Sequence, residues 1–182
     1  MMRFKKNKQD NSEERSKYNA KKTILSPDGK VIKVSTAELK KMKDQGLPEG
    51  VIVFDSELEA KFYRDELKPR VDRGLIQVEM QPKFTLLDKF DVKSDNQHIK
   101  HQAITYTPDF KVTRLATGKV TLVDVKGAED QKFPIKRKLF DSKFPELAPL
   151  VVMKYCKKFG GWITIEEYTK QKREEKKLKK DA

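Results

Sequence analysis

One cysteine, Cys156, stands in 182 residues. A lone thiol closes no disulfide within the chain and builds no zinc site by itself, which excludes a disulfide scaffold and a cysteine-rich metal module. No apolar run approaches the roughly 20 residues that a membrane helix needs. The N-terminus, MMRFKKNKQDNSEERSKYNAKK, is basic but has no apolar core after its charges, so it does not read as a secretory signal. Internal repeats are absent. These absences lead us to expect a reducing, intracellular, cytoplasmic setting and no membrane partner.

What the chain has is charge. Charged residues make up 38% against 36% apolar, and the net charge is +13. Residues 1–22 hold eight basic and three acidic residues, and residues 170–182 hold seven and three. The body between them carries 26 basic and 22 acidic residues, close to balance. Basic arms on a compact body suit a polyanion, because each phosphate contact releases counterions. Solvated Lys-rich tails give the same composition.

The patterning predicts one domain of ordinary size over 23–155, with a core at 56–155. A disordered basic arm covers 1–22, and a basic C-terminal helix and tail cover 156–182. SPDG at 26–29 reads as a turn between apolar pieces, and 35–46 as a short helix capped by Ser35 or Thr36. SELEAKFYRDELKPRVDRG, 56–74, reads as a helix. Ser56 and Glu59 have capping-box spacing, Ala60, Tyr63, Leu67 and Val71 form one stripe, and Pro69 predicts a kink or stop near Lys68. Residues 75–87 alternate as one strand, with Pro82 at an edge or bulge. Residues 88–102 read as loop. A hairpin over 103–127 turns at Ala116–Gly118. A helix follows over 130–146, with Phe133, Ile135, Leu139 and Phe140 inward, then a strand at 150–155 and a basic helix at 164–180. That order, α-β-β-β-α-β with basic extensions, predicts an α/β fold on a mixed sheet.

The hairpin holds the chemistry. ITYTPDFKVTRLATGKVTLVDVKG, 104–127, carries Asp109 and Asp124 inside apolar strands. Side chains two apart on a strand share a face about 7 Å apart, so Asp124 and Lys126 look the same way while Val123 and Val125 look into the core. If Tyr106, Phe110 and Val112 share the apolar face, Asp109 joins Asp124 and Lys126 on the opposite one. Two close carboxylates repel, and a hard divalent cation relieves that repulsion. A lysine beside such a cation orients or activates an attacking water. An exposed cross-strand ion pair on a solvated face is the plainer reading of Asp124 and Lys126.

Pro108–Asp109, a spacer and Asp124–Val125–Lys126 resemble the signature of the PD-(D/E)xK nucleases, whose fold is restriction-endonuclease-like. SELEA at 56–60, QPKF at 81–84, YTPDF and VDVKG are closer still to small phage-encoded endonucleases similar to Holliday-junction resolvases and transposon end-cleaving nucleases. The resemblance covers about residues 56–155. It implies Asp109, Asp124 and Glu59 as Mg²⁺ ligands, with Mn²⁺ able to substitute, and these three with Lys126 as the catalytic set. It also implies site support from Gln81 and a metal-dependent DNA endonuclease selective for DNA structure, in the cytoplasm or that of a phage-infected host. Glu59 as a plain capping residue, with Glu57 as the alternative helix acid, stays open. Lys132, Lys136, Arg137 and Lys138 on one helix, and Lys172, Arg173, Lys176 and Lys177 on the last, are the candidate DNA contacts. A homodimer would supply two active sites for two strands. The alternatives are a non-catalytic nucleic-acid-binding protein on a nuclease fold, and an RNA-binding protein. His98 and His101 read as loop histidines, and Phe159 and Trp162 as core or lid.

Overall fold

The computed structural model describes residues 22–127 and 132–179. The chain divides into two compact units, 1–61 and 62–182. The basic arm, apart from Lys22, and the last three residues of the tail lie outside the described residues.

In the first unit β1 (Thr23–Leu25) lies between β2 (Val31–Lys33) and β3 (Ile52–Phe54) in an antiparallel sheet. Helix α1 (Thr36–Asp44) starts on a reciprocal capping box between Ser35 and Glu38. Its Leu39 closes a small core with Ile24 and Val34, flanked by Met42, Val51 and Val53. Segment 23–55 is therefore a structured unit with its own apolar centre.

The helix that begins as α2 (Glu57–Phe62) does not stop at Lys68. It passes through a π-turn, Tyr63–Leu67, into α3 (Lys68–Asp72). The Lys68 N–H reaches back to the Tyr63 carbonyl, five residues away. The wider turn absorbs Pro69, which brings no N–H of its own.

The second unit is built on a five-stranded sheet in the order β12-β11-β10-β9-β4. These are β4 (Ile76–Met80), β9 (Phe110–Arg114), β10 (Val120–Val125), β11 (Val151–Cys156) and β12 (Gly161–Thr164). The β10–β11 pair is parallel and the others are antiparallel, so the sheet is mixed. On one face Leu86, Tyr106, Leu122, Leu150 and Val152 pack with Phe133 and Phe140 of α4 (Phe133–Lys143). On the other, Phe110 meets the rings of Phe62 and Tyr63 at 5.8 and 6.2 Å. The last helix is α5 (Ile165–Leu178), capped by Thr164.

Several expectations from the sequence change here. The 75–87 strand is two: β4 ends at Met80, and β5 (Phe84–Leu87) pairs instead with β8 (Ile104–Tyr106). Between them Gln81 takes φ +52°, alone among the described non-glycine residues, and Pro82 has no N–H to continue the ladder. The loop at 88–102 is a ribbon of β6 (Phe90–Ser94) and β7 (Gln97–His101), exposed along its length. Its turn, Asp95–Asn96, was the missed signal. Ile135 is 63% exposed rather than inward. Gly161 opens an additional edge strand, and Trp162 on it packs edge-on to Phe62 at 5.1 Å. No helix among the described residues is long and apolar enough to cross a membrane.

Candidate active site

Strand β10 is central, and both of its faces are buried. Leu122, Val123, Asp124 and Val125 are all 7% exposed or less. The carboxylate of Asp124 therefore faces the aromatic core under α4, not a solvated sheet face. Tyr106 lies on that same side rather than with Phe110, because Thr107–Pro108–Asp109 interrupts the strand and resets the alternation.

Register explains how three distant residues meet. Phe110 pairs with both Met80 and Val123. One position further along stand Gln81, just past β4, Asp109, just before β9, and Asp124 within β10. The Gln81 N–H donates to the Asp109 carbonyl at 2.9 Å. The Val125 N–H donates to Asp109 Oδ2 at 2.6 Å, which ties that carboxylate to the end of β10. Lys126 continues the ladder through its N–H to Met153. Its Nζ stands 2.7 Å from Asp124 Oδ2 and 5.1 Å from the centre of the Phe133 ring.

Asp124 is 1% exposed, yet neither of its oxygens accepts a hydrogen bond of good geometry. The Tyr106 hydroxyl is buried beside it and likewise makes none. Burial pushes that hydroxyl far above the ordinary tyrosine range. The charge and acceptor oxygens of Asp124 and the charge of Asp109 push the same way, against Arg137. Tyr106 thus stays a neutral donor. Buried polar atoms nearly always find a partner, so Tyr106 and Asp124 keep bonding capacity that the Lys126 ammonium alone does not fill. Asp124 is buried and Asp109 partly exposed, and two carboxylates of this kind could serve Mg²⁺, which uses one or two carboxylates and keeps waters for the rest. Among the described residues no group of three or more His, Cys, Asp or Glu side chains is placed to hold a metal ion.

Glu59, 8% exposed, is differently placed in its chemistry. Its Oε1 accepts from the Ser56 hydroxyl at 2.8 Å and its Oε2 from the Asp55 N–H at 3.2 Å, while its own N–H donates to Ser56 Oγ. This is a capping arrangement close to a capping box, with the Glu59 carboxylate taking the N–H of Asp55, one residue before the cap, in place of that of Ser56. Glu57 sits between Lys33 and Lys61, whose charges lower its carboxyl to about 2.

The candidate DNA contacts separate by face. Arg137 donates to the Leu150 carbonyl and pairs with Glu166 at 2.6 Å, so it clamps α4 to β11 and α5. Lys132 and Lys138 are exposed, and Lys136 is half-buried. On α5, Lys170, Arg173 and Lys177 recur at helical spacing and line one groove with Arg137. Lys172 instead lies over Tyr168 at 5.2 Å, and neither it nor Lys176 lines that groove. His98 bonds Asp91 at 2.8 Å and His101 stacks on Phe90, both within the ribbon. Sequence reasoning placed Tyr106 and Phe133 in the core and gave neither a place beside Asp124 and Lys126. The signal for Tyr106 was its place in YTPDF, three residues before Asp109.

A family model described as "Protein of unknown function (DUF1064)" matches residues 38–160. That span contains Glu59, Gln81, Asp109, Asp124 and Lys126 and ends before α5. No curated protein and no solved structure matches the chain.

Proposed function

We propose that this chain, which belongs to the DUF1064 family, is a Mg²⁺-dependent endodeoxyribonuclease that recognises DNA by its backbone and shape. One observation carries the reading: a fully buried carboxylate, Asp124, without a well-aligned hydrogen bond, next to the Val125 N–H that holds Asp109 and facing the Lys126 ammonium. The succession α2/α3, β4, β9, β10, α4, β11, with β10 parallel to β11, supports a restriction-endonuclease-like core into which β5 to β8 are inserted.

Cleavage adds water across a phosphodiester. The water oxygen bonds to phosphorus, the bond from phosphorus to one sugar oxygen breaks, and that oxygen takes a proton. Asp109 and Asp124 would hold Mg²⁺, which when bound there supplies positive charge to the phosphoryl oxygens. The Val125 N–H fixes Asp109, so one carboxylate is set before substrate arrives. Lys126, held on the Phe133 ring, donates to the attacking water or the phosphate at the open side of the cluster. Gln81, strained in the left-handed region, shapes the exposed rim next to Asp109. Arg173, Lys177 and Lys170 on α5 hold the backbone by charge. A homodimer would bring two such sites to two strands.

The 2.7 Å contact of Lys126 with Asp124 also favours a second reading, in which the pair neutralises itself and the protein binds nucleic acid without cutting it. Pure protein is incubated with branched, single-stranded and linear DNA, in Mg²⁺ and in EDTA, beside the Lys126→Ala variant. Products that need both Mg²⁺ and Lys126 support the nuclease. Binding with no metal-dependent product supports the second reading, and preference for RNA without DNA cleavage overturns both DNA readings.

A further inference from the structure

Among the described residues, three buried side-chain polar atoms lack a hydrogen-bond partner: Tyr106 Oη, Asp124 Oδ1 and Asp124 Oδ2. They are neighbours, and they are complementary. A phenol carries a donor, and an ionised carboxylate only acceptors. Asp109, by contrast, already has a backbone donor in the Val125 N–H. Asp124 has the Lys126 ammonium near Oδ2 and no such donor. Metal-ligating carboxylates are oriented by hydrogen bonds from neighbouring groups.

The Tyr106 ring is fixed. It packs against Phe133 at 6.4 Å and edge-on to Phe140 at 6.0 Å, inside the cluster that includes Leu122 and Val152. Packing alone would be served by phenylalanine; what the hydroxyl adds is a buried donor beside Asp124.

We propose that Tyr106 is a positioning residue whose hydroxyl donates to Asp124 and orients its carboxylate when a divalent cation is held by Asp109 and Asp124. The proposal rests on the nuclease reading above. Neighbours that hold a metal-ligating carboxylate typically contribute about 10- to 100-fold to metal affinity.

The test measures Mn²⁺ binding calorimetrically without DNA, and thermal unfolding without metal, for wild type, Tyr106→Phe, Phe140→Leu and Asp124→Asn. Tyr106→Phe keeps the ring and its contacts. It is expected to weaken Mn²⁺ binding about 10- to 100-fold with Tm unchanged or higher. Phe140→Leu is expected to lower Tm and leave Mn²⁺ affinity intact. Equal Mn²⁺ affinity in wild type and Tyr106→Phe overturns the positioning role alone. So does a loss in Tyr106→Phe that only tracks a fall in Tm. A wild type that binds no Mn²⁺, or an Asp124→Asn variant that binds like wild type, overturns the metal site and this role with it.

Discussion

Glu59 and Asp124 are the two buried acids among the described residues, and their surroundings are opposite. Glu59 has a hydrogen bond on each oxygen and returns one from its own backbone. Asp124 has none, only the lysine two residues on. A buried carboxylate whose acceptors are filled holds a helix start in place. One that faces an ammonium but no well-aligned donor is held in place less firmly and costs stability.

The largest expected effect is at Asp124. Asp124→Asn should lower Mg²⁺-dependent cleavage by on the order of a thousandfold, the equivalent of several kcal/mol of metal-borne charge stabilisation. Thermal unfolding of the same variant should show Tm held or raised, since a buried charge is removed. A Tm that collapses instead would make Asp124 a structural residue and erase the contrast with Glu59.

Next in size is the α5 groove. Arg173→Glu with Lys177→Glu should weaken DNA binding about tenfold or more and make log K against log salt shallower by about 2 for duplex DNA. Cleavage at saturating DNA should persist, which keeps binding and chemistry in different places. Lys172→Ala, outside the groove, should leave the salt slope alone, as read by anisotropy titrations.

Glu59 gives a smaller and more discriminating result. Glutamine also serves at the third position of a capping box, so Glu59→Gln should keep Tm and cleavage. Glu59→Ala should lose about 1 kcal/mol of stability. Cleavage lost in Glu59→Gln with Tm intact would return Glu59 to the metal site that the nuclease resemblance implies.

The smallest effect concerns Glu57. Its carboxyl is lowered to about 2, chiefly by Lys33 and then by Lys61. A lowered acid contributes stability above its ordinary value, and that contribution fades as pH falls toward 2. The pair is solvent-screened, so Lys33→Ala should cost about 0.2–1 kcal/mol at pH 6. The difference from wild type should shrink in melts near pH 2.

Much of this was legible in the chain. The Ser56–Glu59 spacing announced the cap, and VTLVDVKG announced a strand with two misplaced charges. Basic residues at helical spacing marked α5. The ribbon at 88–102 was not legible, because its apolar side chains, Phe90, Val92 and Ile99, stay exposed and no buried face gives the alternation its usual contrast. The break at Gln81–Pro82 was read as a bulge, although it sends β5 to a different partner.

The sequence by itself determined which side chains are the candidates for chemistry, because carboxylates and an ammonium stand there inside apolar strands, where apolar residues are expected. Only the tertiary structure decided their states. Hydrogen bonds just past the paired ends of the strands tied Gln81 to Asp109 and Asp109 to Val125, the neighbour of Asp124. Packing of α4 over β10 buried Asp124 and brought Tyr106 beside it. Burial and missing partners are properties of what surrounds a group, and those surroundings come from segments far apart along the chain.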